Sequence, residues 1–247
     1  MVKSFIVYSN SRSGHHAIIN WMGKQLPGYV EHHNSCTKEL EQGNLVSDTG
    51  RIEKYNNGED RYNIYSFEQL DMKLLRKFDV PSMVESPTNI IIIRDILNWA
   101  ASLTFKVKDY NVLWDPYVDR EGRISSSMIN IYKDLLIEAI DRTLYPTVIG
   151  YNKWTTDENY RSNLAGELGM TFTDDGFEEM PSFGDGSSFS YFQYVNKASS
   201  MDTLNRWKYL PEGVITRILS DAHLLELTRS CRDLIGPIPW MEQGVLT

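Results

Sequence analysis

The stretch Asn89-Ile90-Ile91-Ile92-Ile93 constrains the chain more than any other. Four consecutive β-branched residues leave no polar face, so they predict a strand covered on both sides, as in a parallel sheet between two helical layers. Neighbouring segments keep that pattern. Phe5–Tyr8 reads as a strand, and Ile18, Ile19, Met22 and Leu26 behind it share one helical face. "YVEHHN" at 29–34 reads as a second strand and "NIYSF" at 63–67 as a weaker one, followed by a helix over 66–78 with Leu70, Leu74 and Leu75 on one side. Residues 95–105 and 126–144 read as helices, the second with Met128, Ile131, Leu135 and Ala139 at helical intervals, and 146–151 as a strand. The tail from Leu204 to Leu234 reads as helix, with Trp207, Ile215, Leu219 and Leu225 as core contacts. Thr37–Arg61 carries no period and 181–192 is rich in Gly, Ser and Phe, so both read as loops. The alternation predicts an α/β three-layer sandwich with a mostly parallel central sheet, in a single domain over 1–247.

Charge narrows the function. A formal net charge of -8 argues against a protein that grips a nucleic-acid backbone, so any basic site must be local. Cys36 and Cys231 are too few for a disulfide framework. No apolar run approaches the ~20 residues of a membrane span, and the chain does not open like a secretory leader; the expectation is a cytoplasmic protein.

Two short stretches carry candidate chemistry. Ser11-Arg12-Ser13-Gly14-His15-His16 lies between the first strand and its helix, where free backbone N–H groups and the helix dipole attract an anion. Gly14 permits close approach, Ser13 offers a hydroxyl, and Arg12 brings a forked permanent charge. The loop has neither the second glycine nor the lysine of a polyphosphate-binding loop, so it suits a smaller anion. The plainer alternative is a polar turn with Ser13 capping the helix. The second stretch follows the isoleucine strand, at the sheet edge where open α/β folds bind ligands. Arg94 stands there, and a helix after Asp95 brings Ser102 round about two turns later, toward an anion held by Arg94. The alternative here is an Arg94–Asp95 ion pair. Trp21, Trp99 and Trp207 sit beside apolar helical positions and read as core; Lys106 and Lys108 either guide an anion or are solvated surface.

"SRSG" at 11–14 and "IIIIRDILNWAASL" at 90–103, in this order, resemble the nucleotide-dependent sulfotransferases. "VIGYNKWTTDENYRSNLAGELGMTF" at 148–172 and "NRWKYL" at 205–210 resemble two further, less specific segments of that family. The resemblance implies a P-loop-like sulfotransferase fold and a donor, 3′-phosphoadenosine 5′-phosphosulfate (PAPS), leaving as adenosine 3′,5′-bisphosphate (PAP). It implies that Arg12, Ser13, Gly14, His15 and His16 hold the 5′ phosphosulfate, that Arg94 and Ser102 hold the 3′-phosphate, and that Tyr151 packs near the adenine. The chain also departs from the family. His15 and His16 stand where threonines are common, Asn152-Lys153 replaces Glu-Asp after the tyrosine, and the late basic loop has no literal counterpart, although Gly184–Phe189 with Ser187 and Ser188 offers anion-binding groups.

Sulfuryl transfer needs a base for the acceptor proton and positive charge, here Arg12, for the leaving oxygen. His33 is the expected base, at the ligand edge of the second strand, with Glu31 and His32 as alternatives. His15 or His16 would touch the transferring group. No metal site is expected, because adjacent histidines on a strand point opposite ways. Two other functions remain compatible: a small-molecule kinase with a degenerate loop, and a non-catalytic nucleotide-binding protein. The acceptor (carbohydrate, phenol, peptide or small metabolite) would meet the variable stretches at 37–61, 107–127 and 176–200.

Overall fold

A computed structural model describes residues 2–34, 36, 52–56, 58–69, 77, 79–109, 118, 123–180, 194 and 196–245. The chain runs β1 (Val2–Ser9), α1 (His15–Gln25), β2 (Tyr29–His33), β3 (Ile52–Asn56), β4 (Arg61–Glu68), β5 (Thr88–Ile93), α2 (Ile96–Asp109), α3 (Ser126–Asp141), β6 (Thr147–Gly150), α4 (Tyr151–Thr156) and α5 (Glu158–Glu167). Four short helices close it: α6 (Glu212–Leu219), α7 (Ala222–Ser230), α8 (Arg232–Ile235) and α9 (Pro239–Glu242).

The sheet order is β3-β2-β4-β1-β5-β6, and every pairing is parallel except that of β3 with β2 at one edge. Strand alternation sorts the side chains into two cores. Phe5, Val7, Ile64, Ile90 and Ile92 pack with Ile18, Ile19 and Met22 of α1. Ile6, Tyr8, Ile91 and Ile93 pack with Trp99 and Leu103 of α2 and Tyr132 and Leu135 of α3. All four isoleucines of β5 are fully buried, so the two-sided cover expected of that run is present.

The differences from the sequence reading have local causes. β3 lies in a stretch read as loop: as an antiparallel edge strand it needs no run of apolar residues. β4 extends to Glu68, so Ser66, Phe67 and Glu68 belong to a strand and not to the helix expected there; 70–76 lie outside the described residues. Tyr151 opens α4 instead of ending a strand, because β6 stops at Gly150, where an added Cβ would stand 1.9 Å from the Leu234 carbonyl oxygen. The tail is broken helix, a 3-10 turn at Arg206–Tyr209 followed by α6 to α8, with Asp221 capping α7 by accepting from the Leu224 N–H.

Asp95 ties the junction after β5 together. It is fully buried and forms no ion pair with Arg94. Its Oδ1 accepts from the Asn98 N–H at 3.0 Å and from Trp240 Nε1 at 2.9 Å, and its Oδ2 accepts from Asn152 Nδ2 at 2.9 Å. One carboxylate thus joins α2, α4 and α9. Removing it strands three buried donors, each costing about 1–3 kcal/mol. Asp95→Ala should therefore lower the unfolding free energy by at least about 3 kcal/mol in urea titrations; a loss below about 1 kcal/mol would show that the junction holds without it.

Candidate functional site

Because β1, β4, β5 and β6 are parallel and in register, their carboxyl ends meet along one edge. Ser9 pairs with Glu68 on one side and with Ile92 on the other, and Ile93 pairs with Gly150. The residues just past those ends, Asn10–Gly14, Glu68, Arg94 and Tyr151, are therefore neighbours despite their sequence separation.

The loop after β1 is held at several points. The Ser13 N–H donates to the Asn10 carbonyl at 3.2 Å, Trp99 Nε1 donates to the Ser11 carbonyl at 2.9 Å, and Gln69 Nε2 donates to the Ser11 hydroxyl. Arg12 and Gly14 both have positive φ, 65° and 87°. At Gly14 only glycine fits, since a Cβ would lie 2.1 Å from Cε2 of Tyr151. Gly14 is also the N-cap of α1, and no side chain caps that helix. Ser13 instead turns its hydroxyl toward His15 Nδ1 at 3.5 Å, so the turn is not a serine-capped helix start.

Arg94, with 2% of its surface exposed, lies against this loop. Its Nη1 donates to Ser102 Oγ at 3.1 Å and to the Arg12 carbonyl at 3.2 Å, and its Nη2 donates to the Thr203 carbonyl at 2.7 Å. The guanidinium sits 4.7 Å above the Tyr151 ring. Arg206 reaches the same hydroxyl, Nη1 to Ser102 Oγ at 3.3 Å. Burial and the neighbouring Arg94 charge push the Arg206 guanidinium down to about 10. Two buried cations converging on one hydroxyl stabilise an anion placed beside them. Next to this pair is a cavity of about 260 Å³ whose lining includes Ala17 of α1, Tyr151, Trp154, Phe177, Thr203 and Asn205. It touches both the head of α1 and the segment that holds Arg94.

At the end of β4, Glu68 Oε1 lies 3.2 Å from His15 Nε2 and 3.6 Å from His16 Nε2. Burial pushes the Glu68 carboxyl up, but His15 and His16 outweigh it and hold it well below the usual carboxylate range. Burial, and then His16, push His15 down. A chain of contacts leads on from there: His16 Nε2 to Asn34 Oδ1 at 3.3 Å, Ser66 Oγ to the same oxygen at 3.1 Å, and His32 Nε2 to Ser66 Oγ at 2.9 Å.

Of the residues expected from the sequence, Arg12, Ser13, Gly14, His15, His16, Arg94, Ser102 and Tyr151 are brought to one edge of the sheet. The second histidine pair is divided. His32 follows Val30 onto the α1 side, whereas His33 turns to the other side and stacks on Tyr65 at 4.8 Å and 11°. Glu31, two residues from His33, shares its side. His32 is fully buried, which lowers its pKa, donates or accepts at Ser66 Oγ, and lies close enough to His16 and His15 for their charges to lower it further. Ser187 and Ser188 lie outside the described residues. The argument that paired histidines diverge fails for His15 and His16, which open a helix and meet at one carboxylate. Sequence reasoning assigned no role to Glu68, hidden in a segment read as helix, or to Arg206. The signal for Arg206 was its place in the Arg-Trp segment at 205–210.

A solved structure titled "Sulfotransferase Domain from the Curacin Biosynthetic Pathway" is similar to this chain over 93% of its length and 97% of that domain, with a TM-score of 0.51 and 12% sequence identity. No protein-family model and no curated protein matches. The likeness shows the fold: an α/β sandwich of the sulfotransferase-like type, with five parallel strands flanked by helices. Among the described residues, no helix is long and apolar enough to cross a membrane.

Burial lowers His15, and lowers His32 further, so the folded chain binds fewer protons than the unfolded chain once the pH drops below about 6.5. Both contributions are present above that pH and are lost as it falls toward the folded-state values. Urea unfolding at pH 8.0 and 5.5 should show lower stability at 5.5, with a slope of up to about 1.4 kcal/mol per pH unit for each group. His32→Asn should flatten that slope, and an unchanged slope would assign it to other groups.

Proposed function

We propose that the chain transfers a sulfuryl group from PAPS to a hydroxyl or amine of an acceptor, within one sulfotransferase-like domain. The observation that carries this reading is the pair of anion-stabilising places on one sheet edge, bridged by an aromatic-walled cavity. One is the loop Arg12–Gly14 with the uncapped start of α1, which suits the 5′ phosphosulfate. The other is Arg94 and Arg206 around Ser102, which suits a lone phosphate. Tyr151, Trp154 and Phe177 line a cavity that also reaches Ala17 of α1 and Thr203, whose carbonyl accepts from Arg94, and they offer ring faces to an adenine. A donor with an anion at each end of an adenosine matches this layout, whereas a nucleoside triphosphate needs one long polyphosphate cradle.

In the transfer, the bond from sulfur to the bridging phosphate oxygen breaks as the acceptor's oxygen or nitrogen bonds to sulfur, and the acceptor's proton passes to a base, for which His33, Glu31 and His32 are the candidates. Backbone N–H groups at the head of α1 and the Arg12 guanidinium would stabilise the charge that grows on the departing phosphate. Of the candidate bases, His33 stacks on Tyr65, on the face of the sheet opposite α1. The kinase alternative would need a magnesium ligand such as Asp95, the acid after the isoleucine strand, but its carboxylate oxygens accept from Asn98, Asn152 and Trp240.

Calorimetry with PAP, ADP and AMP tests the donor class. PAP should bind at least roughly 100-fold more tightly than AMP, the worth of one or two charge-assisted hydrogen bonds to the 3′-phosphate. Arg94→Ala should erase that preference, and equal affinity for PAP and ADP would reject the reading. Gly14→Ala should weaken both nucleotides, because the added methyl displaces Tyr151. PAP binding with no sulfuryl transfer to any acceptor would identify a non-catalytic binder.

A further inference from the structure

We propose that His15, His16 and Glu68 form a binding site for a divalent transition-metal ion, with zinc as the best fit. One ligand atom from each of the three lies within 4.8 Å of the others. Glu68 Oε1 stands 3.2 Å from His15 Nε2 and 3.6 Å from His16 Nε2. Ligand atoms held about 2.0–2.1 Å from a tetrahedral zinc are about 3.3–3.4 Å apart, so a small adjustment seats the ion. Two imidazoles and a carboxylate suit zinc, and three protein ligands leave a fourth position open, as in catalytic zinc sites.

The surroundings support this use of the cluster. His15 is 3% exposed, and its Nε2, though 3.2 Å from Glu68 Oε1, makes no hydrogen bond of acceptable geometry. The Ser13 hydroxyl lies 3.5 Å from His15 Nδ1; in the tautomer with the proton on Nδ1 it would accept that N–H and leave Nε2 to the metal, as an outer partner of a ligating histidine does. When His16 turns its nitrogen to the metal, the contact with Asn34 Oδ1 is released, and that oxygen still accepts from Ser66. Arg12 is the cation nearest in effect and opposes the ion, while the Glu68 carboxylate favours it. The site stands at the head of α1, in a loop that lacks the lysine of polyphosphate-binding loops. A metal there supplies the charge that lysine would bring, with its open position available to an anionic oxygen.

Zinc binding measured without nucleotide tests the site independently of the sulfotransferase reading; PAP binding in the presence of chelator tests that reading by itself. The metal-free full chain, titrated with zinc chloride by calorimetry, should bind one equivalent. Glu68→Gln and His15→Ala should each weaken binding at least roughly 100-fold, and Ser13→Ala by about 10-fold. Circular dichroism checks that the variants fold. Should they not fold, cobalt chloride added to the unmodified chain decides: the ring protons of two of its five histidines should shift in NMR spectra, with visible absorption of a tetrahedral ion. No zinc binding, binding unchanged in folded Glu68→Gln, or cobalt shifts confined to other histidines would overturn the proposal.

Discussion

The arrangement depends on a permanent cation buried where a doubly covered strand ends. Arg94 follows the last isoleucine of β5 and keeps only 2% of its surface in water. Guanidinium charge is expensive to bury, and the groups that receive its donors here are neutral: the Ser102 hydroxyl and the carbonyls of Arg12 and Thr203. Those dipoles gather three distant stretches, the loop after β1, helix α2 and the segment before the Arg206 turn, around one charge. Because none of them cancels it, the region stays positive, and the second guanidinium, Arg206, adds to it. A chain with net charge -8 thus keeps a concentrated basic spot at the one sheet edge where four parallel strands end.

Asp95 shows how that spot survives. A carboxylate directly after an arginine invites an ion pair, which would neutralise Arg94 and leave no reason for an anion to bind. The structure spends the carboxylate on Asn98, Asn152 and Trp240 instead. The two consecutive residues thereby part: Asp95 holds α2, α4 and α9 together, and Arg94 keeps its charge unneutralised by it across the Tyr151 ring. Asn152 stands where the sulfotransferases that the sequence resembles have a glutamate. An amide there can donate to Asp95, which a carboxylate could not do.

The sequence was most legible where one physical demand dominated. β5 announces itself because two-sided burial forbids polar residues, and the loop after β1 because a tight turn between strand and helix needs Gly14. Arg94 and Ser102 were legible as a pair because helical geometry alone decides their approach. Legibility failed where tertiary context decides. β3 is an edge strand without an apolar signature, and Glu68 looks helical until pairing with Ser9 makes it the last residue of a strand. His32 and His33 show the limit most clearly: both were placed correctly at the carboxyl end of β2, yet which one faces the loop depends on the register of β2 against β4, and a shift of one residue would exchange them.

The two histidine pairs follow different backbone rules, and that difference shapes the site. On β2 a repeat of two sends His32 and His33 to opposite faces. At the head of α1 successive side chains are only about 100° apart around the axis, so His15 and His16 can close on a single acceptor. Their rings stand 4.0 Å apart, centre to centre, and share the Glu68 oxygen. Threonines at these two positions would line the same turn with small hydroxyls and leave the Glu68 carboxylate without its two imidazole neighbours. With histidines there, the carboxylate meets groups of the loop itself. The two histidines of the loop and the carboxylate that ends β4 thus form one contact between the head of α1 and the sheet.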